Sequence, residues 1–193
     1  PPPSLQLRAP AAKGRAENFA AGVAAWAQSA GFAGVCLATG ANAAFRNDTQ
    51  LEGPQVRLVA NAPADAGGLA AKAAETGIPA LELPPADFLH RDLAPIPDGE
   101  GGYIPAAGGA TAPFSAVSGT GYAPRFFRRL SAAGVPTVAV LMFVHEGDNR
   151  PEATGMASAL AAVVGTPDGS KPWVPPSSWG TVFGGEPDDT MFA

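Results

Sequence analysis

The chain has 193 residues, enough for one domain with a sizeable core and too few to make two domains the expected arrangement. The net charge of −5 and the pI near 4.9 argue against nucleic acid or an anionic membrane as the main partner, because both favour clustered positive charge. A single cysteine, Cys36, excludes an internal disulfide bond and a multi-thiolate zinc site, and it fits a reducing compartment. No stretch approaches the roughly 20 apolar residues needed to span a bilayer.

The first half of the chain predicts helices alternating with strands. The stretch "ENFAAGVAAWAQSAG" predicts a helix. Its apolar face holds Phe19, Val23, Trp26 and Ala30. Residues 33–39 predict a buried strand, with Cys36 inside it as a small hydrophobe rather than a nucleophile. A loop leads to a second strand over residues 55–60 and then to a short helix over residues 66–77.

The second half contains the strongest strand signal. Residues 78–113 predict a loop with one strand near residues 81–83. The stretch "APRFFRRLSAAG" predicts an amphipathic helix with Phe126, Phe127 and Leu130 on its apolar side and its arginines opposite. Residues 137–144, "TVAVLMFV", predict a central strand covered by helices on both faces. The next helix has an apolar face formed by Ala153, Met156, Ala157, Leu160 and Val164.

These elements predict an α/β fold: a three-layer α/β/α sandwich with a mostly parallel sheet. Residues 1–172 are expected to form the domain. Residues 173–193, which hold Trp173 and Trp179 among prolines and glycines, are expected to form an arm on its surface.

Polar and ionisable side chains follow the central strand at residues 145–150, "HEGDNR". One interpretation is structural, with Asn149 capping the next helix through its side-chain oxygen and Glu152 completing a capping box. In this interpretation, which we favour, the segment from Glu146 to Asn149 sets a strand-to-helix turn.

The other interpretation is a ligand site, because α/β proteins bind ligands at the carboxyl ends of parallel strands. Glu146 and Asp148 would then face Arg46 and Asp48. However, His145 and the two carboxylates have no recognised metal-binding spacing, and the phosphate-loop, dinucleotide and Gly-x-Ser-x-Gly motifs are absent. The sequence therefore predicts neither a metal nor a cofactor, and no catalytic residue.

Two segments resemble the proteasome assembly chaperone 2 family: "FVHEGDNRPEATG" and "WVPPSSWGTVFG". Further similar segments, "LQLR" and "RNDTQL", occur upstream in the same order. The matching positions in the two main segments are Phe143, Val144, Glu146, Gly147, Asp148, Asn149, Pro151, Ala153, Trp173, Pro176, Ser178 and Trp179.

The resemblance implies a fold like that of nucleoside phosphorylases, and further N-terminal strands that this chain lacks. It implies a non-enzymatic protein of the cytoplasm and nucleus. Such a protein pairs with a related chaperone, and the heterodimer binds proteasome core α-subunits, promotes α-ring assembly and prevents off-pathway association. The remaining alternative is a small-molecule-binding protein or enzyme of the same fold, using Arg46, Asp48, Glu146 and Asp148.

Partner-binding residues are expected near the C-terminus. The resemblance implies that Met191, Phe192 and Ala193 dock between neighbouring α-subunits, because a hydrophobic residue, an aromatic and a free C-terminal residue end several proteasome-binding proteins. Trp173 and Trp179 are expected either to pack the arm onto the domain or to contact a partner.

Overall fold

The computed structural model describes residues 3–82, 96–97, 103–104, 117, 119–166 and 172–182. Within these residues, six helices and five strands alternate along the chain, with short 3₁₀ helices at Ala43–Phe45 and Ser177–Thr181. The elements are α1 (Ala16–Ser29), β1 (Val35–Asn42), α2 (Asp48–Leu51), β2 (Val56–Ala60), α3 (Ala62–Ala66), α4 (Leu69–Ala74), β3 (Ile96–Pro97), β4 (Tyr103–Ile104), α5 (Ala123–Ala132), β5 (Thr137–Val144) and α6 (Arg150–Val164).

The main sheet has the strand order β1-β5-β2. β1 is parallel to β5 with Val35 opposite Thr137, whereas β2 is antiparallel to β5 with Val56 opposite Met142. Ala80 adds a single parallel bridge to β2. The described sheet is therefore mixed: its parallel part agrees with the expected mostly parallel sheet, and β2 departs from it. β3 and β4 form a separate antiparallel ladder.

β5 is the predicted central strand, and seven of its eight residues are buried. Val138 and Val140 pack against α3, α4 and α6 on one face of the sheet. Leu141 and Phe143 pack against Phe127 of α5 on the other face. Helices therefore cover both faces, which confirms the α/β class and gives three layers. The nucleoside-phosphorylase-like detail stays a prediction.

Helix α1 packs on α5 through small residues. Ala20, Ala24 and Ala27 are buried between the two helices, whereas Phe19 and Trp26 are 38% and 49% exposed. The predicted apolar face of α1 was therefore wrong by about one position. Alanines let the two helix axes approach closely, and the larger side chains stay at the edge of the contact.

The other helices agree more closely with their patterns. In α5, Phe127 and Leu130 are fully buried as predicted, and burying each such side chain contributes about 1.5–3 kcal/mol. In α6 the buried stripe instead includes Ala159 and Val163, and Ala153 is exposed, so the predicted face is rotated.

β1 continues three residues beyond the predicted end at residue 39, because it stays in register with β5 as far as Asn42. The expected loop then contains a 3₁₀ helix and α2. Residues 3–12 form no helix or strand, and Leu5 and Leu7 are exposed.

Asn61, which follows β2, joins three elements through a buried side chain. Its Oδ1 accepts from the amides of Ala64 and Thr137, both at 2.9 Å. Its Nδ2 donates to the carbonyl of Val135 at 2.9 Å and to the hydroxyl of Ser131 at 3.1 Å. The first residue of β5 is thereby tied to the start of α3 and to the end of α5.

Candidate functional site

The turn between β5 and α6 is closed by its own polar side chains. The guanidinium of Arg150 pairs with Asp148, with 2.6 Å between Nη2 and Oδ2, and the same carboxylate accepts from the Arg150 amide at 3.0 Å. Asn149 Nδ2 donates backwards to the carbonyls of His145 at 2.8 Å and Gly147 at 3.2 Å. Gly147 has a φ of 120°, which side chains with a Cβ rarely adopt.

These contacts correct the predicted cap. Asn149 is the N-cap residue of α6, but its side chain makes no capping hydrogen bond, and Asp148 accepts from the first helical amide instead. Glu152 does not complete a capping box, since one of its buried carboxylate oxygens has no hydrogen-bond partner among the described residues. Hydrogen bonds from the side chain and backbone of Arg150 hold the pKa of Asp148 below its ordinary value.

Arg46 lies where β1 and β5 end side by side. Its Nε donates to the carbonyl of Ala43 at 2.9 Å, and its Nη1 donates to the Gln55 side chain. Its Nη2 lies 3.5 Å from Nε2 of His145. The structure thus brings Arg46 to His145, and not to the carboxylate of Asp148, which is paired with Arg150.

The four residues of the alternative ligand site are therefore not assembled as one cluster by these contacts. Asp48 begins α2 and Glu146 is exposed on the turn. Among the residues that the structure describes, no group of three or more metal-binding side chains lies together. Cys36 is partly buried, and burial raises the pKa of its thiol to about 11.

The C-terminal arm meets the same turn. Its 3₁₀ helix, Ser177–Thr181, is held by Arg150, whose Nη1 donates to the carbonyl of Trp179 at 3.1 Å. Between the arm and α6 lies an open cleft of about 580 Å³, lined by Pro151 and Thr154 on the helix side and by prolines of the arm. Arg150 thus uses one guanidinium to close the turn and to hold the arm.

The arm presents apolar side chains to solvent. Trp173 is 48% exposed, Val174 87% and Val182 58%, and we call these three residues the arm surface. Trp179 is half-buried. The predicted tail residues, 191–193, lie outside the described residues. Exposed apolar side chains grouped on one segment are typical of protein-binding surfaces.

Sequence reasoning missed a buried ion pair on the other side of the sheet. Arg57, 2% exposed, lies with its Nε 3.2 Å from Glu82 Oε2, and Gln50 Nε2 donates to the same oxygen at 3.3 Å. The guanidinium carbon is 5.9 Å from the centre of the Phe143 ring. The available signal was an arginine at an inward position of "QVRLVA". This group fixes the segment that follows Ala80 to β2.

Comparison with known proteins gives one distant match. No family model matches the chain. The chain is 26% identical over 185 residues to a Xenopus tropicalis protein named proteasome assembly chaperone 2. The aligned region covers 93% of this chain and 64% of the relative's length. The two proteins are distantly related. No described helix is long and apolar enough to cross a membrane.

Proposed function

We propose that the chain is a proteasome assembly chaperone. The observation that carries the proposal is the similarity to a protein of that name along 93% of the chain. Because identity is spread over nearly the whole chain, it includes the core strands, the turn after β5 and the arm. A chaperone acts by binding, so the proposed role is non-enzymatic.

In its finer form, the proposal is that the chain pairs with a related chaperone in the cytoplasm and nucleus. The heterodimer binds proteasome core α-subunits, promotes α-ring assembly and hinders off-pathway association. The arm surface supports this form, because Trp173 and Val174 are exposed while Arg150 holds the arm against α6. A surface fixed in advance loses little conformational entropy on binding. Met191, Phe192 and Ala193 remain a proposed docking tail.

The first test is purification of the tagged chain from its own cells, followed by identification of the bound chains by mass. We expect α-subunits of the proteasome core and a second chain of related sequence. Finding neither, at an expression level near that of the untagged protein, would refute the proposal.

A matched pair of variants tests the arm surface. Trp173→Ser removes a 48% exposed aromatic, and Leu51→Ser removes a 55% exposed side chain on α2. Exposed substitutions of this kind change stability by about 0.5 kcal/mol or less. We expect Trp173→Ser to reduce recovery of the bound chains at least severalfold, with an unchanged melting temperature, and Leu51→Ser to have no effect. Equal recovery from both variants would show that the arm surface is not used.

A further inference from the structure

β1 lies at the edge of the main sheet and lacks the usual protection of an edge strand. Its residues contain no charged side chain and no proline, and it pairs with β5 over its full eight residues without a bulge. Natural edge strands are normally blunted by lysines, prolines or bulges, because their free backbone groups pair with any available strand. An unprotected edge of this length is therefore built for pairing or tolerated only because it is covered.

The free backbone groups of β1 can be assigned to particular residues. The amide of Val35 donates to the carbonyl of Pro136, at the start of β5, at 2.8 Å. Because backbone groups alternate in direction along a strand, Cys36, Ala38 and Gly40 direct theirs away from β5. Near Asn42 the edge is already covered, since a Cβ on Gly119 would lie 2.8 Å from the Asn42 amide nitrogen.

The open part of the edge has small side chains at these outward-directed residues. Ala38 is exposed, and Cys36 and Gly40 are half-buried. No described residue pairs with this part of β1 as a strand. A second backbone can therefore approach the edge without meeting bulky groups.

Helix α1 places an apolar stripe beside this edge. Phe19 and Trp26 are two turns apart on α1, with the half-buried Val23 between them. Both aromatics are held in place: Phe19 stacks edge-on against Phe126 at 5.6 Å between ring centres, and Trp26 against Phe32 at 5.1 Å. The stripe belongs to the β1 side of the molecule, because Val23 and β1 residues pack on one common hydrophobic cluster.

We propose that the open edge of β1 and the stripe on α1 form a self-association surface, on which a second copy of this chain docks by antiparallel pairing of β1 with β1. This inference goes beyond the proposed function and does not depend on it. A strand edge is satisfied only by another strand, and this one is suited to its own copy. A two-fold axis at Ala38 brings Cys36 opposite Gly40 of the other copy, so neither bulk nor like charge opposes the contact.

The same symmetry accounts for the stripe. Two antiparallel β1 strands about a two-fold axis perpendicular to the sheet place both α1 helices on the same face of a continuous six-stranded sheet. Phe19 and Trp26 of each copy then flank the axis, and the 38% and 49% of their surfaces now exposed become available for contact. The chain's net charge of −5 opposes self-association in general, but neither β1 nor the stripe contributes to that charge.

The test is sedimentation equilibrium of the full 193-residue chain at increasing concentration, combined with hydrogen exchange. We expect a monomer–dimer equilibrium, with the Cys36 and Ala38 amides exchanging rapidly in dilute solution and slowly at concentrations where the dimer forms. A chain that stays monomeric up to its solubility limit would overturn the proposal.

Two variants and a control identify the surface. Ala38→Pro removes an amide directed away from β5, so the ladder with β5 is kept and the dimer contact is lost. Trp26→Ser removes the largest side chain of the stripe and does not touch the strand. We expect each variant to raise the dimer dissociation constant at least about tenfold, or about 1.4 kcal/mol. Leu51→Ser should leave the constant unchanged.

Circular dichroism melts show whether each variant is folded. If Ala38→Pro unfolds, Trp26→Ser and the exchange of the Ala38 amide in the unmodified chain still decide the matter. A dimer that persists in folded Ala38→Pro, or one in which the Ala38 amide exchanges at the monomer rate, would overturn strand pairing. A dimer weakened equally by Leu51→Ser would also overturn it.

Discussion

Substitution of Asn61 by Ala should be among the most destabilising single changes in this chain. Asn61 is 1% exposed, and its side chain makes four hydrogen bonds. Two partners keep an alternative, because Ala64 also donates to the Asn61 carbonyl and Val135 also accepts from the Thr137 hydroxyl. The amide of Thr137, at the buried start of β5, has no other described acceptor and would be stranded.

The expected loss follows from these partners. A stranded buried amide costs about 1–3 kcal/mol, and each further lost hydrogen bond about 0.5–1.5 kcal/mol. With two or three such bonds, the free energy of unfolding should fall by about 3–4 kcal/mol. Urea denaturation followed by circular dichroism would show a midpoint about 1.5–2 M lower at an ordinary slope of about 2 kcal/mol per M.

Asn47→Ala provides a matched control. Asn47 caps α2 by accepting from the Gln50 amide at 3.0 Å, in a partly exposed capping box. Losing a cap of this kind costs about 1 kcal/mol. If Asn61→Ala were no more destabilising than Asn47→Ala, the buried network would not have the importance assigned to it.

Four further outcomes are expected. Burial opposes ionisation of Glu82, but hydrogen bonds from its own amide, Arg57 and Gln50 hold its pKa below 4.5. Ionised Glu82 therefore stabilises the fold above that pH, and this contribution is lost as pH falls through the folded-state pKa; Glu82→Gln should flatten the decline in urea-melt stability between about pH 5 and 3. Because burial raises the pKa of Cys36 to about 11, iodoacetamide should label the native chain at pH 8 about a hundredfold more slowly than the urea-unfolded chain. Trp179→Ala should lower both stability, by about 1–2 kcal/mol, and complex formation, and lost binding with an unchanged melt would instead indicate direct partner contact. Deleting residues 191–193 should weaken binding to α-rings and leave pairing with the related chaperone intact, and unchanged ring affinity would reject the docking tail.

The features that sequence predicted well are those that one segment determines by itself. β5 is apolar at every position, so its central place followed from composition alone. The apolar and basic sides of α5 are separated in the sequence, and Phe127 and Leu130 are buried accordingly. In both cases no distant residue was needed to decide which side chains are buried.

The features that sequence missed depend on which surface a segment meets. The largest side chains of α1 suggested one face, but close packing against α5 selected the alanines. Asn61 precedes "AP", which is a helix-start signal with proline near the first turn, and it was not used. Its bonds to Val135 and Thr137 connect residues more than 70 positions apart, and no local pattern predicts them.

The turn after β5 shows why a cluster of ionisable residues need not be a reactive site. A catalytic carboxylate needs a free oxygen directed at a substrate, but Asp148 is engaged by both the guanidinium and the amide of Arg150. Arg150 then reaches the carbonyl of Trp179, so the same charge pair sets the direction of α6 and the position of the arm. The polar residues thus decide where the apolar arm surface is displayed. In a protein that acts by binding other chains, that is the contribution expected of a charged turn: it orients the contact surface and leaves the contact itself to Trp173 and its apolar neighbours.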